Sequence, residues 1–322
     1  MAKAAARFGA LLCFAGLQTQ ICIPAASART RVAHAAPEPT RIDALADDAP
    51  TLGLPERPAD APTGREFLRL TDQLPPEERE RAIYDEIMRG NVPSFLRRLK
   101  PVSLASKRSP NHGEPDAMQP RPHEATIWVM PDYLAIGSDT DFIRIPMNLH
   151  TATRIALALG FLLPTTKVVD AIHAQAGKRV APRSLPPSSA MTKNSSYLLH
   201  DEQVNADFGA YELGSIVSGH KKDVVVATHR RNRPGSIGLY GWLQHDGIPI
   251  QRLSDAHDAS YVDYSQGVRL VSRTIRLANG TTLPYLTALR SRETAALLTD
   301  EGPTAVYGAF TREVQFAAAE RP

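Results

Sequence analysis

Residues 223–280 read DVVVATHRRNRPGSIGLYGWLQHDGIPIQRLSDAHDASYVDYSQGVRLVSRTIRLANG, and the succession of apolar runs and turns in this stretch decides the fold class. DVVVAT, SIGLYGW, GIPIQRL, GVRLVSR and TIRLANG are short and rich in β-branched and aromatic side chains, so each predicts a strand. Asp246-Gly247 and Asn279-Gly280 fall between such runs, and both pairs tolerate the positive φ of a tight hairpin. Hairpins join antiparallel neighbours. Upstream, ATIWVM, DYLAIG and DFIRIP predict three more short strands, divided by Pro131-Asp132 and Gly137-Ser138-Asp139. Helices surround them. One follows Pro75-Pro76, with Ile83, Ile87 and Met88 on one face and Gly90 as its stop. HTATRIALALGFLL ends at Gly160, and TKVVDAIHAQAG carries a Val168, Val169, Ile172, Ala176 stripe behind a Thr165 cap. NSSYLLHDEQVNADFGAYEL and the late YLTALRSRETAALL are also helical in pattern. N-terminal helices followed by hairpin-linked strands predict an α+β fold, a mostly antiparallel sheet with flanking helices, rather than a doubly wound one.

The N-terminus reads as an export signal. Lys3 and Arg7 precede the apolar run FGALLCFAGL at residues 8–17, which is too short to span a bilayer, and Ala26-Ser27-Ala28 offers small residues for cleavage after Ala28. The expected location is therefore periplasmic or secreted. Both cysteines, Cys13 and Cys22, lie in the leader, so the mature chain has no thiol for a disulfide, a nucleophile or a thiolate metal site. Without Lys3 and Arg7, the 37 basic residues become 35 against 34 acidic ones, a net charge of +1. That balance speaks against a dedicated nucleic-acid binder. After signal removal no apolar run reaches spanning length.

The mature chain divides by composition. Residues 29–65, rich in Ala, Pro and acidic residues, read as an extended spacer. A single α+β domain is expected over 66–322, with a helical lead-in at 66–100, a polar Pro-rich loop at 101–124 and the compact core at 125–322.

Two segments before strands concentrate functional side chains, Gly219-His220-Lys221-Lys222-Asp223 and the run from Asp255 to Gly267. Three chemistries could use them. His220 and His257 with Asp263, or with Asp223 or Asp255, would give two imidazoles and a carboxylate for a divalent metal such as zinc with a position left for water. Their spacing matches no short zinc signature, and plain hydrogen bonds between strand ends would explain the same residues. Ser265 with a histidine, or with Lys222 as base, would make a nucleophile, but Asp263-Tyr264-Ser265-Gln266-Gly267 lacks the first glycine of an elbow. Alternatively Tyr240, Trp242, Tyr261 and Tyr264, whose faces can stack on sugar rings, with Lys221 to hydrogen-bond hydroxyls, form a glycan-binding surface without catalysis. The groups expected to converge in one solvent-reachable cleft are His220, Asp223, His257 and Asp263.

Several phrases taken together, RGNVPSFLRRL at 89–99, MPDYLAIGSDTDFIRIPM at 130–147, LPTTKVVDAIHAQA at 163–176, GHKKDVV at 219–225 and YVDYSQGVRLV at 261–271, resemble a family of exported bacterial proteins of unassigned activity. The resemblance implies export and a shared fold. It also implies a histidine after YVDYS, where this chain has Gln266, so any role of that histidine does not carry over. The function expected from the sequence is an exported hydrolase-like protein acting on an envelope or extracellular polymer, peptidoglycan first. The alternative is a non-catalytic glycan- or envelope-binding module. N-terminal sequencing of protein recovered from the periplasm or medium should begin within a few residues of Arg29, and full-length protein in the inner membrane would contradict cleavage.

Overall fold

The computed structural model describes residues 48–106, 123–226 and 236–304; the leader, residues 29–47, the basic loop 229–235 and residues 305–322 lie outside the described residues. Local chemistry starts each helix. Thr63 Oγ1 accepts from the Glu66 backbone amide while the Glu66 carboxylate accepts from the Thr63 amide, a capping box that opens α1 (Gly64–Leu70). Pro76 at the first position and Glu77 and Glu78 behind it open α2 (Pro76–Met88), which buries Ile83 and Ile87. A 3-10 turn at Ser94–Leu96 leads into β1 (Lys100–Ala105).

The chain continues through β2 (Glu124–Val129), β3 (Ala135–Gly137) and β4 (Phe142–Arg144). Asn148 caps α3 (Leu149–Ala158), β5 (Phe161–Leu162) follows, and Thr165 caps α4 (Thr166–Gln175) by accepting from the Val168 amide. After β6 (Lys178–Arg179) and a 3-10 turn at Ser189–Thr192 comes α5 (Asn194–Phe208). The strand-rich part is β7 (Val217–Ser218), β8 (Lys222–Val225), β9 (Gly238–Leu243), β10 (Pro249–Ser254), β11 (Gln266–Gly267), β12 (Val271–Leu277) and β13 (Thr282–Pro284). Two short helices, α6 (Tyr285–Arg290) and α7 (Ala295–Leu298), close the described chain.

The strands form two principal sheets. The first runs β1-β2-β12-β13 with β5 also on β12, all antiparallel. The second runs β10-β9-β8-β11, antiparallel except for the β8–β11 pair. The pairs β3–β4 (antiparallel) and β6–β7 (parallel) complete the sheets, and the fold is α+β with mainly antiparallel strands. Both expected hairpins are present, Asp246-Gly247 between β9 and β10 and Asn279-Gly280 between β12 and β13. A continuous apolar core, with Ile127, Leu134, Ile155, Val224, Leu270 and Tyr285 among its members, joins the sheets to the helices. Among the described residues no helix is long and apolar enough to cross a membrane.

Three expectations change. Residues 48–65 are not a detached spacer: Leu52 is buried, its amide bonds to Arg97 O, the Leu99 amide bonds to Pro50 O, and Arg57 reaches Asn91 and Ala61 O. Frequent prolines remove donors without preventing an extended segment from packing, because their carbonyls still accept. The loop expected at 101–124 begins instead as a strand. Pro101 is tolerated because β1 lies at a sheet edge, while Val102 and Leu104 alternate inward. Finally, GVRLVSR and TIRLANG are not two strands. Gln266 and Gly267 belong to the second sheet and β12 to the first, so the chain crosses between sheets over Val268–Leu270, all three residues buried. Replacing Leu52 with Ala should cost ~2–5 kcal/mol of stability, the usual range for emptying a packed core position. A urea midpoint unchanged by the substitution would return this segment to a passive spacer.

Candidate functional site

The two segments singled out in the sequence do meet, through the parallel pair β8–β11, in which Gln266 opposes Lys222 and Gly267 opposes Asp223. Gly267 permits the approach: a Cβ there would lie 2.6 Å from Tyr133 Cδ1 and 2.8 Å from Lys221 Cβ. What they form is a buried polar cluster rather than an open cleft. His220, Lys221, Asp223, Asp263, Ser265 and Gln266 are each at most 2% exposed.

Residues from four other places complete the cluster. Asp132 and Tyr133 come from the turn before β3, Arg144 from β4, His200 and Asp201 from α5, and Arg269 from the crossing into β12. Arg144 Nε donates to Asp132 Oδ2 at 2.8 Å, and its Nη1 donates to Asp201 Oδ1 at 3.2 Å and Asn205 Oδ1 at 2.7 Å. Burial by itself would raise the Asp132 carboxyl, but Arg144 and then His220 outweigh it and hold the group well below the usual carboxylate range. His220 Nε2 lies 3.3 Å from Asp132 Oδ1, within ion-pair reach but off the line of a hydrogen bond. Burial pushes His220 down to about 4 despite Asp132, so near neutrality it is an uncharged ring, edge-on to Tyr133 and Phe208.

Three further groups are tuned. Burial lowers Lys221 to about 8, with Asp201 opposing and Arg144 reinforcing, while its Nζ donates to Tyr264 O at 2.7 Å. Burial raises Asp223 to about 7 against the pull of Arg269; its Oδ2 accepts from Tyr133 Oη at 2.8 Å and its Oδ1 meets no protein partner. His200, fully buried beside Tyr264, is held neutral by burial first and then by the charge on Lys221. Arg269 stacks on Tyr133 and spends its donors on Met130 O, Pro131 O and Val217 O.

The metal site expected from His220, His257 and Asp263 does not assemble. His257 is exposed, stacked on Tyr261 at a 3.8 Å ring separation, whereas His220 lies in the Asp132–Tyr133 cluster. Asp263 is engaged by Tyr261 Oη and by the Ser265 amide, and among the described residues no group of three His, Cys, Asp or Glu is placed to hold a metal. The nucleophile fails for a related reason: Ser265 Oγ donates to Asp263, an Asx-type turn contact, and meets no imidazole. Lys222 is not positioned as its base, because its Nζ lies over the Trp242 ring at 4.6 Å. Of the proposed aromatic surface, Trp242 and Tyr264 are buried; Trp242 Nε1 donates to His220 O and Tyr264 Oη accepts from the Leu185 amide. Tyr240 and Tyr261 stay partly exposed, and Lys221 is sealed inside.

Sequence reasoning passed over Tyr133, Arg144, Asp201 and Arg269, read Asp132 only as a turn residue and left His200 unplaced. A Pro-Asp turn signal marked Asp132, yet no spacing connects it with Arg144, Asp201 or His220. An open cleft lies beside the second sheet, between α4 and the β9–β10 hairpin, with a volume of about 410 Å³. No family model, curated protein or solved structure matches the chain.

The Asp223 carboxyl makes stability depend on pH in a defined direction. Its folded-state value of about 7 lies above the ordinary 3.8, so the folded protein holds the proton more tightly, and this stabilisation is lost as pH rises from about 4 to about 7. Relative to Asp223→Asn, the wild type should therefore lose stability across that interval and run parallel to it above. His220 contributes the opposite slope between about 4 and 6.5 in both proteins and cancels from the comparison. Parallel curves throughout the window, measured by urea unfolding, would contradict the protonated carboxyl.

Proposed function

We propose that this protein is an exported, non-catalytic module that binds an envelope or extracellular polymer, with the glycan of peptidoglycan as the leading ligand. The observation that carries this reading is the burial and internal engagement of the groups a hydrolase would need. A polymer cannot reach a His220, Lys221 or Ser265 side chain that is at most 1% exposed, and Ser265 Oγ is already committed to Asp263. Gln266 supports the same view. Its amide cannot take up a proton as a base, and it stands where the resembling family has histidine. The open cleft beside α4 provides a surface that a chain-like ligand can reach. Export supports an envelope ligand, and the near-neutral mature charge disfavours nucleic acid.

One observation favours the hydrolase as a second reading. Asp223 and Lys221, brought to about 7 and about 8, are titrating groups within a unit or so of neutrality in one cluster, as general acid–base chemistry requires. Sedimentation with insoluble peptidoglycan sacculi separates the two. The mature protein should pellet with sacculi while releasing no soluble fragments, and Asp223→Asn should pellet equally well. Fragment release that disappears in Asp223→Asn would establish the hydrolase instead, and failure of the wild type to pellet would remove peptidoglycan as the ligand.

A further inference from the structure

We propose that the cleft between α4 and the β9–β10 hairpin is where this protein holds its polymer, taking a neutral, hydroxyl-rich sugar ring against Asp170 and Tyr240. The inference rests on the binding reading above and assigns it a site and a ligand chemistry. The cleft is lined by Asp170, His173, Arg179, Tyr240, Asp246 and Pro249 among others, and its volume of about 410 Å³ lies within the ~300–1,000 Å³ of small-ligand sites.

Its parts are held before any ligand arrives. Tyr240 Oη donates to Asp170 Oδ1 at 2.8 Å, which fixes both the ring and the carboxylate. His173 Nδ1 pairs with Ser218 Oγ at 3.2 Å, and its Nε2 meets no partner in good geometry although the Gln244 backbone lies near. The ring is 3% exposed with Nε2 buried, and burial, then Arg179, lowers its affinity for a proton, so His173 is a neutral floor beneath the cleft.

The charges select against anions. Arg179 is the cation of the cleft, but Nε and Nη2 donate to His173 O and Ala174 O at the end of α4, and Nη1 donates to His245 O. A guanidinium tied to three carbonyls is a poor clamp for phosphate, and the Asp170 and Asp246 carboxylates at the same cleft repel one. Carboxylate acceptors and an aromatic ring together suit vicinal hydroxyls and the apolar face of a pyranose.

The test uses the mature protein, sacculi and the soluble hexamer of N-acetylglucosamine. The hexamer should shift the methyl resonance of Ala174, which lines the cleft, in methyl-labelled protein, and Asp170→Ala should weaken binding at least tenfold. Asp170 is exposed, so the variant should fold, which its melting curve checks. Glu202→Ala, in a separate cleft beside Arg65 and Asp141, should bind as the wild type does. If the wild type pellets with sacculi and Asp170→Ala pellets as strongly, with the Ala174 methyl signal unmoved, the cleft is the wrong site and the binding reading stands. Binding to sacculi without binding to the hexamer overturns the sugar assignment. A wild type that binds neither removes the reading on which the inference rests.

Discussion

The buried Arg144 guanidinium is the constraint on which the polar interior depends. Removing a cation from water costs several kcal/mol even after relaxation, and only well-placed partners offset it. Here Asp132 and Asp201 supply the charge and Asn205 another acceptor, while the rings of Phe142 and Phe208 lie 5.0 and 4.7 Å from the guanidinium carbon. These partners come from the turn before β3, from β4 and from α5, so neither a helix nor a strand pair could hold Arg144 alone. Loss of either carboxylate would leave a buried charge short of its counterion, a far larger penalty than loss of a surface ion pair.

That anchor sets the electrostatics of the segment after β7. With Asp132 held ionised, His220 keeps a counter-charge within reach yet remains neutral because burial dominates. Lys221 is brought down and Asp223 up by the same desolvation, acting on charges of opposite sign. The cluster therefore stores proton-sensitive groups in a place a polymer cannot touch. Its evident work is architectural: Lys221 Nζ on Tyr264 O and the Lys222 amide on Ser265 O fasten the loop carrying Ser265 to the start of β8. Where backbones approach most closely, glycine is required. At Gly219, φ is +107° and a Cβ would lie 2.4 Å from Val180 O.

The two sheets divide the labour. The first, with α6 and α7 beside it, is largely apolar scaffold, whereas the second borders both the buried cluster and the open cleft. Asp223 and Tyr240 are paired across β8 and β9, so one strand pair carries a sealed carboxyl and, next to it, a tyrosine presented to solvent with Asp170.

Much of the fold was legible along the chain because its signals are local. Thr165 as a cap, Pro76 in a first turn, and the Asp-Gly and Asn-Gly hairpins act within four residues of themselves, and the α+β class follows from their order. The sequence also marked 219–223 and 255–267 as polar segments that belong together, and they do meet. It could not say that they meet inside the protein, or that His257 leaves them to stack on Tyr261 at the surface. Nor could it link Asp132 to Arg144, or Asp170 to Tyr240, since a charge finds its partner by where the chain returns and not by spacing. Pro101 in β1 and the prolines near Leu52 looked like loop for the same reason: whether a proline is tolerated depends on which edge or groove it occupies. Residue chemistry by itself determined which groups could act; tertiary structure decided which of them water and a ligand can reach, because burial is a property of the whole packed chain.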